Sequence, residues 1–443
     1  MGNTESTLKE EDERIIQRPQ HDEGSEFYRA CRYGDVQRVK ELLPFIPYED
    51  LNKPEPNGST PLHAASSNGE LEIVRLLLHE RGCRRNHINR HGLTAYDEAL
   101  SDEMRQLFHR PDEKNRFCQE EVATENMFIV TTDEEYSELE AFSADKWLQG
   151  HNGSEAVDKV KLQVAMIKGF AQFKFLTLVG NYTSLESAFS DRSLLRDLNK
   201  LLDEHVKDGH REFEHCKALV ADTFKEHKPE HLLRLYTLET PFYDALSNHS
   251  DIMSMPLALS LDKLKPRYFQ GISYRGLKMT EENLRTYQWA LKSNGAIRTR
   301  TFCSTTLKQS VAERYAAKSR SSDGKRSVLM ILTFPEKCDT AINLGKLSSK
   351  LPCLSAYENE AEILVTPFTL FVVTQIESNA NYMTVHLENI PVRPLSTWGI
   401  LKTIYNEVKE QMNSDSTSLS QKKSKSLFSG LALETESNTN IAL

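Results

Sequence analysis

GSTPLHAASSNGELEIVRLLL, residues 58–78, is followed at residues 92–108 by GLTAYDEALSDEMRQLF. Thr60-Pro61-Leu62-His63 in the first stretch stands where Thr94-Ala95-Tyr96-Asp97 stands in the second, 34 residues later. A weaker copy precedes both, with Ala30-Cys31-Arg32-Tyr33-Gly34-Asp35 in the place later taken by Ala65 to Glu70. Three units of about 33 residues predict a stacked array of helix pairs.

The Thr60-Pro61-Leu62-His63 stretch resembles the ankyrin repeat. That resemblance implies a turn, a short first helix, a bend at Gly34 or Gly69, and a second helix with Ile73, Leu76 and Leu77 inward. The middle copy is close to the family pattern and the outer two are degraded, as suits caps that must face water. Ankyrin arrays usually bind proteins through a concave face. For this array two readings stand open, recognition of a protein partner and packing against the next domain.

At 443 residues the chain is too long for one ordinary core, and about two or three domains follow. A formal net charge of -9 argues against nucleic acid as a partner, because phosphate binding needs a cationic surface. The longest apolar runs, such as residues 327–334, are strand-sized and far below the roughly 18 to 20 residues of a membrane span. The acidic N-terminus lacks an apolar signal region, so a reducing, cytoplasmic compartment is expected. Seven scattered cysteines without C-x-x-C pairs read as reduced thiols, and no metal is implied. Met1-Gly2-Asn3-Thr4-Glu5-Ser6 matches the pattern for N-myristoylation of Gly2. A single acyl chain gives at most weak, reversible membrane contact.

The pattern stops at Arg110-Pro111-Asp112-Glu113-Lys114. The domain reading is therefore a disordered leader over 1–24, repeats over 25–110, a linker over 111–119, a second domain over 120–400, and a C-terminal helix and polar tail over 401–443. Residues 155–250 read as largely helical, with 193–207 and 232–243 carrying helical apolar spacing. From 270 onward strand-like runs alternate with helices. The fold class is thus multidomain: an all-α repeat array followed by an α+β domain. His227-Lys228-Pro229-Glu230-His231 has the letters of a zinc motif, but Pro229 breaks the helix that both histidines would need, so a helix boundary is predicted. Residues 271–278, GISYRGLK, fail as a phosphate loop because Leu277 stands where lysine is needed.

Three pieces of the second domain fit together. Ile272-Ser273-Tyr274-Arg275-Gly276 places an arginine at a strand end, beside a glycine that would let a bulky ligand approach. The helix after it is expected to start at Thr280, bury Leu284, Tyr287 and Leu291, and end at Asn294-Gly295. Thr301-Phe302-Cys303-Ser304-Thr305-Thr306 is a strand entering a hydroxyl cluster, and Ser310 and Glu313 read as a capping box that starts another helix with Val311 and Tyr315 inward. In YENEAEILV, residues 357–365, an extended chain would set Glu358, Glu360 and Glu362 on one face, with Glu358 solvated.

Taken in order, these residues resemble the arginine-specific mono-ADP-ribosyltransferases of the R-S-E type, over roughly 230–390 well and 120–230 loosely. The resemblance extends to Leu235-Tyr236-Thr237, Pro241-Phe242-Tyr243 and Pro367-Phe368. It implies an α+β domain whose helices precede a mixed sheet forming an NAD cleft, NAD as co-substrate, and a protein acceptor with an accessible arginine. By resemblance Arg275 holds a phosphate or ribose of NAD, with Gly276, Ser304, Thr305 and Glu362 also on the nucleotide. Ser304 braces the site, Glu362 is the catalytic carboxylate and Glu360 faces the acceptor. The family usually has serine where Thr306 stands. The chemistry agrees: cleaving ribose from nicotinamide develops an oxocarbenium-like cation that a fixed carboxylate stabilises. A guanidinium is a poor nucleophile, so a second carboxylate must orient and deprotonate it. Rival readings are NAD glycohydrolysis and an ankyrin adaptor with an inactive transferase-like domain.

Overall fold

The computed structural model describes residues 24–110, 192–243, 261–293, 295–299, 301–317, 325–379 and 381–395, with short pieces at 128–129 and 149–151 and a few positions within 158–168 and at 245. The expectations for Gly2, Cys118, the linker 111–119 and the C-terminal segment 401–443 fall outside the described residues.

The array is built as the repeat predicts. Helix α1 (Glu26–Tyr33) is capped by Ser25 Oγ, which accepts from the Tyr28 amide at 3.1 Å, and α2 is Val36–Leu42. The middle unit holds α3 (Pro61–Asn68) and α4 (Leu71–His79). Thr60 and His63 cap α3 reciprocally: Thr60 N–H donates to His63 Nδ1 at 3.3 Å, and His63 N–H donates to Thr60 Oγ1 at 3.4 Å. Pro61 fits the first helical position, where its missing N–H costs nothing. Gly34 and Gly69 end their helices at φ 75° and 83°, left-handed conformations that favour glycine. Ile73, Leu76 and Leu77 are buried. In the third unit residues 94–99 form only a turn, tied by Thr94 N–H to Asp97 Oδ2 at 3.1 Å, before α5 (Asp102–Leu107).

The second unit begins with helices α6 (Arg192–His205), α7 (Phe213–Glu226) and α8 (Pro229–Thr237). His227 ends α7 at φ 54° and Pro229 opens α8, so the histidine cluster is the helix boundary expected. The sheet follows as β1 (Tyr268–Met279), β2 (Ala296–Thr299), β3 (Cys303–Thr306), β4 (Arg326–Asn343), β5 (Glu362–Val365), β6 (Leu370–Ser378) and β7 (Met383–Asn389). Its order is β2-β6-β7-β4-β1-β3-β5, with Phe128–Ile129 and Gln149–His151 both paired to β2. Only β4 and β7 run parallel; the other described pairings are antiparallel. Long β4 pairs with β1 from Arg326 to Ile342, with β7 over residues 328–333 and with β5 at Ala341, Ile342 and Asn343, so the sheet folds back on itself. Phe334 fills the fold, edge-on to Phe269 at 5.5 Å and to Phe371 at 5.6 Å.

Two sequence expectations need correction in the helices between strands. In α9 (Glu281–Ser293) the Thr280 cap forms, Asn283 N–H donating at 3.2 Å, and Leu284 and Tyr287 are buried. Leu291, however, is 36% exposed and Ala290 lies inside instead. Helix α10 (Gln309–Ala317) starts one residue before Ser310, which therefore lies in its first turn and is not the cap. Thr306 Oγ1 takes the amide of Lys308 at 3.0 Å.

The array packs on the second unit. Arg84 pairs with Asp222 of α7 at 2.8 Å, Arg85 faces buried Glu212 at 3.7 Å, and Asp97 pairs with Lys346 at 2.7 Å. Tyr48 lies 6.1 Å from the His215 ring. Buried His215 donates its Nδ1–H to Glu212 Oε2 at 3.1 Å; burial lowers its pKa and the Glu212 bond opposes that only in part. His63 is lowered by burial too.

Both histidines have folded pKa values below the unfolded one, so the unfolded chain takes up their protons first. Their contribution is complete above about pH 6.5 and is lost as pH falls below it. Thermal unfolding followed by circular dichroism should give a Tm that drops between about pH 7 and about pH 5.5, and His215→Gln should shallow that slope; a Tm flat across that range in the native chain would contradict this.

Candidate active site

Strands β1, β3 and β5 lie side by side and bring the three sequence pieces together. In register, Thr306 stands opposite Tyr274 on one side and Glu362 on the other, and Ser304 opposite Leu364. Arg275 sits in mid-strand and not at a strand end, because β1 continues to Met279. Its Nη1 donates to the Ser304 carbonyl at 2.6 Å. Ser304 Oγ donates to the Tyr236 hydroxyl at 3.3 Å, and Ser355 Oγ donates to Glu362 Oε2 at 3.1 Å. Thr305 Oγ1 donates to the Ile363 carbonyl at 2.9 Å, so this hydroxyl ties β3 to β5. Arg275, Ser304, Glu360 and Glu362 are each 1% exposed or less.

Gly276 has a different role from the one expected. A Cβ there would fall on the Ala312 carbonyl oxygen and 2.8 Å from the Ala316 amide nitrogen, so the absent side chain makes room for α10 rather than for a ligand.

The E-x-E segment also departs from the extended reading. Glu358–Glu360 form one 3-10 turn, and Ala361 is left-handed at φ 46°, so alternation is broken before Glu362 enters β5. The turn is held by Thr306 Oγ1, which donates to the Glu360 carbonyl at 2.5 Å, and by Leu307 N–H to the Ala361 carbonyl at 3.1 Å. Threonine keeps the one group this position needs. Glu358 is half-buried rather than solvated: burial and nearby Asp97 of the array raise its pKa, with Thr94 and Lys346 opposing.

Three residues at the site carried no signal of their own. Arg110, read as the last residue of the repeats where the pattern stops, is buried with Nε and Nη2 donating to Glu360 at 2.8 and 3.1 Å. Glu239, two residues past α8, takes Arg110 Nη1 at 2.6 Å. The Tyr357 ring lies 4.0 Å from the Arg110 guanidinium carbon and 5.0 Å from that of Arg85. Arg110 and Glu360 are 250 residues apart, beyond any local pattern.

Residues 27–112 match the ankyrin-repeat family in three copies. Over 55 residues the chain is 46% identical to the SMC5-SMC6 complex localization factor protein 1 of Homo sapiens, covering 12% of this chain and 5% of that protein. The chain therefore spans about 5% of the length of the curated relatives it matches first. Among solved structures, the Vis toxin, an ADP-ribosyltransferase from Vibrio splendidus, is 16% identical and covers 45% of this chain and 86% of its own, with a TM-score of 0.23. Exoenzyme S from Pseudomonas aeruginosa, solved with human 14-3-3 protein beta and carba-NAD, is 15% identical over 46% of this chain and 92% of its own, with a TM-score of 0.30. At those scores the structural likenesses carry no weight for activity.

Gly276→Ala should cost about 1–3 kcal/mol or more by overpacking against α10. Thr306→Val should cost about 1–3 kcal/mol by leaving the Glu360 carbonyl without its donor, while Thr306→Ser stays near the native value. Urea unfolding of the three variants checks both, and a Thr306→Val midpoint equal to that of Thr306→Ser would remove the bracing role.

Proposed function

We propose that this chain transfers ADP-ribose from NAD to an arginine side chain of a protein acceptor and releases nicotinamide. The observation that carries the reading is that the Glu360 carboxylate already engages a guanidinium, in a turn that leads directly into Glu362 on β5. A carboxylate that binds a guanidinium through two parallel N–H···O bonds has the chemistry an arginine acceptor requires.

The donor set fits NAD: Arg275 supplies a planar fork suited to a pyrophosphate, Ser304 a hydroxyl and Glu362 a carboxylate. Bound NAD supplies a ribose whose bond to a cationic nicotinamide is ready to break, the electron pair leaving with nicotinamide. Glu362 stabilises the positive charge that grows on the ribose. Ser355 Oγ, held against Glu362 Oε2, fixes that carboxylate. Glu360 orients the acceptor guanidinium and takes the proton that its attacking nitrogen loses.

The test follows adenylate-labelled NAD with agmatine as acceptor, recording nicotinamide release and label transfer separately. Glu362→Gln should lower both by about a hundredfold or more. Glu360→Gln should keep nicotinamide release, with water as acceptor, and lose transfer. If Glu360→Gln transfers label at the native rate, the two-carboxylate assignment is wrong.

A further inference from the structure

The guanidinium on Glu360 comes from the array itself. Arg110 follows α5 at the end of the repeats, and four bonds fix it: two to Glu360, one to Glu239 and one from Nη2 to the Thr237 carbonyl at 3.2 Å. Its flat face lies on Tyr357. A plain inter-unit ion pair needs one carboxylate; this cation has two, both buried, on segments 121 residues apart in sequence between Glu239 and Glu360. The arrangement has the form of a guanidinium pocket with an occupant. Of the other ties of array to second unit, Arg85–Glu212 is buried but long at 3.7 Å. Arg84–Asp222 and Asp97–Lys346 are part-exposed pairs, the kind that contributes little and is screened by salt.

We propose that Glu239 joins Glu360 and the Tyr357 face in the pocket for the acceptor arginine, and that Arg110 fills this pocket as an internal stand-in, so that the docked array keeps protein acceptors out. This rests on the transferase reading above. Arginine suits the role because its fork satisfies both carboxylates at once and stays charged at any working pH. An acceptor then competes with a tethered group, and its apparent affinity is reduced by the fraction of molecules in which Arg110 is out.

The experiment uses the full chain and measures KM and kcat for agmatine at saturating NAD. Arg110→Gln removes the occupant. Glu212→Lys sets a buried like charge against Arg85 and loosens the array with Arg110 intact, so the result does not hang on one variant's folding. Both should lower the agmatine KM about tenfold or more. Adding Glu239→Gln to Arg110→Gln should raise that KM again by about tenfold, through loss of a charge-assisted bond. The proposal is overturned if both array variants keep the native agmatine KM within about twofold, or if mass spectrometry finds ADP-ribose on Arg110, which would make it an acceptor and not a plug. Folded variants that release no nicotinamide at all would instead overturn the transferase reading, and this proposal with it.

Discussion

One buried guanidinium organises this molecule. Arg110 is held between Glu239 and Glu360, which come from the helical part and from the turn before β5. Burying a charge is costly unless it is paired and hydrogen-bonded, and here four bonds to two carboxylates and a carbonyl, with an aromatic face, offset that cost. Removing one partner would strand the others at a cost of about 3–5 kcal/mol. The array, the helices and the sheet are therefore fixed to one another at the point where the candidate chemistry lies.

The sheet supplies the geometry beneath that point. Strand β4 pairs with β1 along nearly its whole length, and is long enough to take β7 beside its first part and β5 at its end. This places β5 against both β3 and β4, so Glu362 enters from a strand paired on two sides. The turn carrying Glu360 is set by the left-handed Ala361 and by the Thr306 hydroxyl. A non-glycine residue in that conformation costs about 1 kcal/mol, a strain that the surrounding bonds sustain. Gly276 completes the arrangement from behind, since only a residue without a side chain lets α10 lie against β1.

Much of this was legible in the chain. Period and turn chemistry marked the repeats, the Gly34 and Gly69 caps, the Thr280 cap and the helix break at Pro229, because each depends on residues within about one turn of one another. The ordered pieces around Arg275, Ser304 and Glu362 do converge on adjacent strands. Local logic failed where tertiary contacts compete with it. Leu291 had the right spacing but faces out, Ser310 had the right letters but lies inside the helix, and Glu358 to Glu362 alternate in sequence while the chain between them turns.

The sequence by itself determined the elements and the ankyrin repeats, since backbone preference and apolar period are properties of short stretches. It left open whether the array binds a partner or the rest of the chain, and it offered Arg110 only as the edge of a linker. Tertiary structure set the array against the rest of the chain and gave Arg110 its partners: a guanidinium seeks two carboxylates whatever their distance along the chain, and only the folded arrangement brings Glu239 and Glu360 within its reach.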